Sequence, residues 1–460
     1  MSTETQKQAT QGTATAPVKN NVKASYDERL LSATEILLES GGFDLLESII
    51  ENCQNMNPER KARKSIFLNE KSRKTERLDL ARSLNTWKEV LESDENAMAM
   101  IELCDKNAQE QEHSLKQNLS VALHSTRELE RSYRSMSMFY KNTESDKVPN
   151  VSIMNASPDQ VKDLDNTRFI DAVGQELKQS YDRLDLRDNY SLMAIPGYLG
   201  SNAVIDKWAK MAYSNKVTLV TDFPDFEEPD DVMEVFASEG LAGADAHRSN
   251  ALMTCNWLIG RKKSVLGGED DDLTLPPSTA YAGKIYNTLM SQVAAGKKHG
   301  VINEVEGVRF ALKKSEISNL EKLGLIPMVN EYGKVMAFSA KTLFNGDNLG
   351  LQTYSVVRVF DYVTKVLMDF LNRRAFENFS PRTKKDMQTQ MIHFLDSIKG
   401  ADNLIEDFSV KRFEQDPIQK DRIYLDIHMK PYFPAKSFLI KMDGQKGNDG
   451  AEWDSEYEQK

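Results

Sequence analysis

Cysteine is scarce in this chain: three among 460 residues, Cys53, Cys104 and Cys255, at spacings that suit neither a disulfide framework nor a zinc site. Ordinary thiols are expected. The six histidines are scattered, and no two stand at the i, i+4 spacing that sets two imidazoles on one helical face. No apolar run approaches membrane-spanning length, and the opening "MSTETQKQATQGTATAPVKN" lacks the apolar stretch of a secretory signal, so folding in the cytoplasm without membrane insertion is expected. Positive charge is not in excess either. A net charge of -11 disfavours binding to nucleic acid or to an anionic membrane and makes protein partners the leading expectation.

Catalytic signatures are missing as well. The sequence holds no P-loop, dinucleotide fingerprint or zincin motif, and the glycines of "GLAGADAH" and "SVLGGEDDD" lack the strand, spacing and lysine that a phosphate cradle requires. The run "EDDD", Glu269 to Asp272, lacks the alternating positions of a calcium loop and is expected to be a solvated turn. Neither an active site nor a cofactor is expected.

What the chain does contain is alternation of element types. Residues 1–23 are rich in Thr, Gln and Ala and are expected to be a disordered tail; residues 24–150 form a helical region. Within it, "FDLLESIIENC" carries Phe43, Leu46, Ile49 and Ile50 on one face, opposite Asp44, Glu47 and Glu51. From 151 to 279, short apolar runs such as "YSLMAIPGYLG", "KVTLVTDFPDF" and "NALMTCNWLIGR" alternate with helical patterns such as "AVIDKWAKMAYS", which predicts an α/β domain. "LGGEDDDLTLPPST" marks its expected end. Residues 280–442 make a second mixed domain, with a strand pair turning at "YGK" and a helix from Tyr354 to Phe379 with a broad apolar stripe. Two strands follow in "DRIYLDIHMKPYFPAKSFLIKM", ahead of an acidic tail over 443–460. Ile423, Leu425, Ile427 and Met429 share one face of the first strand, and Phe438, Ile440 and Met442 one face of the second. A lone two-stranded hairpin is marginal in water and leaves two unpaired edges. Composition alone favours its completing a sheet within the chain.

The order "GVINEVEGVRFALKKSEISNLEKLGLIPMV", "VMAFSAKTLF", "LQTYSVVRVFDYVTKVLMDFLNR" and a closing strand pair resembles the large subunit of the contractile sheath of the type VI secretion system, the TssC family, which is related to phage tail sheath proteins. Coverage runs from about Phe43 to Met442; residues 57–189 and the acidic tail depart from the family pattern, as in a divergent branch. The resemblance implies a structural protein of the cytoplasm that forms a heterodimer with a small sheath subunit. Its other implied partners are neighbouring protomers, an inner tube protein, a baseplate and a hexameric AAA+ ATPase that disassembles the contracted sheath. It also implies that the strands of 423–429 and 437–442 join a sheet shared between protomers, which turns the exposed edges into a polymerisation device. On the same ground the helix of Phe43, Leu46, Ile49 and Ile50 is the ATPase handle, although a core helix would show the same stripe, and Arg373, Arg374, Lys384 and Lys385 are candidates for facing the inner tube. A one-component tail sheath and a soluble α/β enzyme stand as alternatives.

Overall fold

The computed structural model describes residues 58–458, apart from 95, 145–147, 149, 187–188, 437–438 and 447–450. The tail over 1–23 and the helix of Phe43, Leu46, Ile49 and Ile50 lie outside the described residues. The chain divides into two units, the first ending at His113 and the second beginning at Ser114.

In the first unit, helix α1 (Pro58–Asn69) gives way through a 3₁₀ turn (Lys71–Arg73) to α2 (Lys74–Ser93), and α3 (Ala97–Thr143) begins. Arg77 donates to the carbonyls of Phe67 at 2.6 Å and Glu70 at 2.8 Å, so its guanidinium ties α2 back to the end of α1. No side chain of α2 is buried. Leu80, Leu84, Trp87 and Leu91, spaced 4, 3 and 4 apart like the seam positions of a coiled coil, are all exposed.

The second unit is mixed α/β. It contains the remainder of α3, then α4 (Pro158–Lys162), α5 (Arg168–Tyr181), β1 (Leu192–Ala194), α6 (Asn202–Ser214), β2 (Thr218–Asp222), α7 (Pro229–Glu239) and β3 (Ala251–Cys255). There follow β4 (Leu258–Arg261), β5 (Leu273–Leu275), α8 (Pro277–Asn287), α9 (Gly296–His299), β6 (Gly307–Val308), α10 (Lys314–Leu323), β7 (Leu325–Glu331) and β8 (Lys334–Ala337). The central sheet has the order β1-β2-β3-β7-β8. Its first four strands are parallel, and β8 returns antiparallel to β7 through Tyr332 and Gly333, whose φ angles of 56° and 70° are those of a tight hairpin turn. The expected turn at "YGK" is there.

Parallel strands covered on both faces have to be apolar on both. Leu219, Met253 and Leu325 point to one side, where they meet Trp208 of α6, Phe236 of α7 and Leu320 of α10. Val220, Leu252 and Ile326 point to the other, against Tyr281 and Ile285 of α8, Met138 of α3 and the small sheet β5-β4-β6. The segment Leu266 to Thr279, expected to close a domain, does not divide this sheet: β7 and β8 follow it in sequence, β7 lying beside β3 and β8 beside β7.

A third core lies C-terminal to the sheet. After α11 (Leu349–Gln352), α12 (Tyr354–Arg373) and α13 (Pro381–Ser397) pack Val359, Val363, Leu367, Met391 and Leu395 against Ile405 and Phe413. Helix α12 stops short of the expected Phe379. Phe376 takes a left-handed φ of 67°, and Ser380, capping the backbone of Thr383 at 3.1 Å, starts α13 with Pro381 at its first position.

Candidate functional site

Four strands end the described chain: β9 (Ile405–Gln415), β10 (Ile423–Pro431), β11 (Leu439–Lys446) and β12 (Ala451–Glu458). They form two separate antiparallel pairs, β9 with β10 and β11 with β12. The two strands expected to form one hairpin therefore do not pair with each other. Each has a partner that its sequence disguised. In β9, "IEDFSVKRFEQ", charged residues interrupt the apolar alternation; in β12, "AEWDSEYE", what was expected as an acidic tail alternates Glu452, Asp454, Glu456 and Glu458 with Ala451, Trp453, Ser455 and Tyr457 at period 2.

The face of β10 expected in a shared sheet is largely committed within the chain. Leu425, Ile427 and Met429 pack on the α12–α13 core, while Ile423, at the strand start, is 38% exposed. The register jumps from Asp426↔Arg412 to Ile427↔Val410, so Lys411 is the extra residue of a bulge. Arg412 lies over the ring of Tyr424 at 4.1 Å, the Tyr424 hydroxyl donates to Asp416 at 2.6 Å, and Lys430 pairs with Glu406 at 2.7 Å. These contacts and the helices beneath stabilise a ribbon that would be marginal alone.

The second pair is different. Ile440 and Met442, two positions apart and so on one face of β11, are 48% and 59% exposed. Phe438 lies outside the described residues. Among the described residues each two-stranded sheet leaves an outer edge on both of its strands, apart from the start of β9, where Lys399 bridges Ile405, and such an edge accepts a further strand through backbone hydrogen bonds.

Of the four cationic candidates, two are already satisfied. Arg373 bonds Asp369 at 2.6 Å, and Arg374 holds Glu377 and Asp386, both at 2.8 Å. Lys384 and Lys385, the fourth and fifth residues of α13, make no ion pair among the described residues.

The run expected as a solvated turn is instead an anchor. Glu269 accepts from Arg127 at 2.7 Å, from Arg261 at 2.6 Å and from the Ser264 backbone at 2.8 Å, and these donors hold its carboxyl down at about 2. Arg127 also donates to the carbonyls of Asp271 and Asp272, and Arg131 to that of Thr274. These bonds fasten α3 along the β4–β5 connection. Leu129, Tyr133, Met136 and Tyr140, on the opposite side of α3 at about 3.6 residues per turn, are exposed. Arginines at 127, 131 and 134 in step with Met138 carried this signal in the sequence.

Asp206, near Asp245 and His247, is taken up by Lys210 at 2.6 Å, His247 at 2.5 Å and Arg248 at 3.4 Å, which makes the cluster an ion-pair network. Cys255 is fully buried, and burial pushes its thiol far up. No helix is long and apolar enough to cross a membrane among the described residues.

The family described as type VI secretion system TssC/VipB, central domain, matches residues 121–345; the TssC/VipB-like C-terminal domain matches 353–459, and the TssC/VipB-like N-terminal region matches 30–119. No curated protein sequence matches the chain. Among solved structures, a chain of the anti-feeding prophage baseplate is 17% identical with a TM-score of 0.40, the match covering 52% of this chain and 64% of that one, less than two thirds of its length. The anti-feeding prophage helical sheath in the contracted state is 17% identical with a TM-score of 0.46, over 68% of this chain and 81% of that one. The sheath tail protein of Desulfitobacterium hafniense is 11% identical with a TM-score of 0.41, over 64% of this chain and 60% of that one. With its N-terminal, central and C-terminal regions matched in order, the chain belongs to the TssC/VipB family of type VI secretion system sheath proteins.

Proposed function

We propose that this sheath subunit works as the large partner of a heterodimer: with a small sheath subunit it polymerises in the cytoplasm around an inner tube, starting from a baseplate, and contraction of the polymer drives the tube outward. The exposed Ile440 and Met442 beside open strand edges carry the proposal, because they are what a strand from a neighbouring protomer would cover. Such work needs no local chemistry. A modest free-energy difference between two packings, summed over many protomers, becomes a large mechanical output.

The packing of Leu425, Ile427 and Met429 on the α12–α13 core supports an added strand at the β11–β12 pair or at an outer edge of β9–β10, rather than on the apolar face of β10. Because Arg373 and Arg374 are neutralised by neighbouring carboxylates, Lys384 and Lys385 are the cations left to face the inner tube. The exposed stripes of α2 and α3 are the surfaces for the small subunit, and the helix of Phe43, Leu46, Ile49 and Ile50 is the handle for a AAA+ disassembly ATPase. Electron microscopy of the chain expressed with and without its small neighbour tests the proposal. Tubes only in the presence of both are expected; tubes from this chain alone would make it a one-component sheath, and no tubes in either case would contradict it.

A further inference from the structure

A cavity of about 410 Å³ lies between the N-terminal ends of β1 and β2 and one face of α12. Arg358, Asp361, Lys365 and Asp369 recur along that face at helical spacing, and Lys216 enters just before β2. Arg358 is only 7% exposed, yet among the described residues its guanidinium makes a single long hydrogen bond, to the Ile285 carbonyl at 3.4 Å. A guanidinium carries five donors, and burying one nearly unpaired is costly. Lys365, equally deep, donates to the Tyr190 carbonyl at 2.7 Å, and Lys216 stands 3.5 Å from Asp361.

The carboxylates do not balance these cations. Asp369 is engaged by Arg373 at 2.6 Å and by the Leu186 backbone at 3.1 Å, while Asp361 divides itself between Lys216 and the Asn250 amide at 2.7 Å. Among the described residues, Asp361 is thus the carboxylate left to face Lys216, Arg358 and Lys365. Burial pushes the Lys365 ammonium down to about 8 and the Arg358 guanidinium down as well, as expected where counter-charge is short. The remaining lining combines an apolar part that includes Met290 and Val366 with the polar Asn189, Ser191 and Thr218.

We infer that this cavity binds a small organic oxyanion, a carboxylate or phosphate monoester whose head lies among Lys216, Arg358 and Lys365 and whose apolar body fills the space beside Met290 and Val366. The volume falls in the ordinary small-molecule range of roughly 300–1,000 Å³. Inorganic phosphate would reach the cations but leave the apolar part empty.

The test is ligand-observed ³¹P NMR of phenyl phosphate with the purified full chain, with benzoate as competitor and inorganic phosphate as a second probe. Line broadening that benzoate reverses is expected, with inorganic phosphate about tenfold weaker. Lys216→Gln should weaken phenyl phosphate about tenfold and Arg358→Gln should remove binding. Asp361→Asn, which takes away the competing charge but keeps an acceptor for Asn250, should tighten it severalfold, an effect that a purely structural role would not produce. Should Arg358→Gln fail to fold, Lys216→Gln and Asp361→Asn decide the matter. No broadening at millimolar phenyl phosphate, or one affinity across wild type and these two variants, would overturn the inference.

Discussion

Ser278 gives Asp222 both of its donors, the backbone N–H to one carboxylate oxygen at 2.7 Å and the hydroxyl to the other at 2.5 Å. Thr254 and the Gly197 backbone supply two more, so the end of β2 ties together β3, the start of α8 and the loop after β1. The backbone donors Gly197 and Ser278 sit on different oxygens. Whichever way an amide is turned in Asp222→Asn, one of these N–H groups loses its acceptor and meets an NH₂ instead. The variant should lose about 1–3 kcal/mol, the cost of leaving a buried donor unsatisfied. Burial pushes the carboxyl from its ordinary 3.8 up to about 6, so the native state holds this proton more tightly than the unfolded chain. Stability should therefore fall as pH rises from about 4 to about 6, and that part of the slope should vanish in Asp222→Asn. Thermal unfolding of both proteins across this range measures it.

The Glu269 carboxyl, held chiefly by Arg261 with the Ser264 backbone and Arg127 beside it, has the opposite sign. With the native carboxyl at about 2 against an ordinary 4.5, its contribution is complete above pH 4.5 and fades as pH falls toward 2. Glu269→Gln, which keeps a shape but not a charge for Arg127 and Arg261, should loosen α3 from the β4–β5 connection at neutral pH. Faster hydrogen exchange in residues 119–134, with β2 and β3 unaffected, is the expected reading. Unchanged protection of α3 would show that its packing through Met138 suffices.

The assignment of an ATPase handle to "FDLLESIIENC" predicts a separation of phenotypes. Replacing Leu46 and Ile49 by Ser should leave assembly and a first contraction intact and let contracted sheaths persist in cells. Fluorescence imaging of sheath turnover distinguishes this from a core helix, for which the same changes would cost solubility and assembly together.

Much of the central fold was legible because its signals are local. Strands such as "TLVTD" and "ALMTC" are apolar on both faces, the hairpin turn shows as Tyr332-Gly333, and the seam of α12 follows one period. The C-terminal pairing was not, because register is set between segments far apart in sequence. Ile423 to Met429 shows the same alternation whether its partner is Ile405–Gln415 or Ser437 onward, and the carboxylates of β12 masked an alternation as regular as that of β10. Glu269 was misjudged for a related reason: nothing in "EDDD" reveals two arginines, one of them 142 positions away, converging on its first residue.

The central claim, that exposed residues of β11 lie in a sheet shared between protomers, is tested most directly by Ile440→Asp with Met442→Asp. Both positions are solvent-facing in the isolated chain, so the melting temperature should be essentially unchanged, a surface substitution being worth within about 0.5 kcal/mol. Two carboxylates buried in a shared sheet would cost several kcal/mol at every contact. Leu425→Asp provides the contrast, because that side chain packs on the α12–α13 core and its replacement should destabilise the chain itself. Negative-stain electron microscopy of the double variant expressed with the small subunit should show folded protein and no tubes; tubes of normal length would contradict the account.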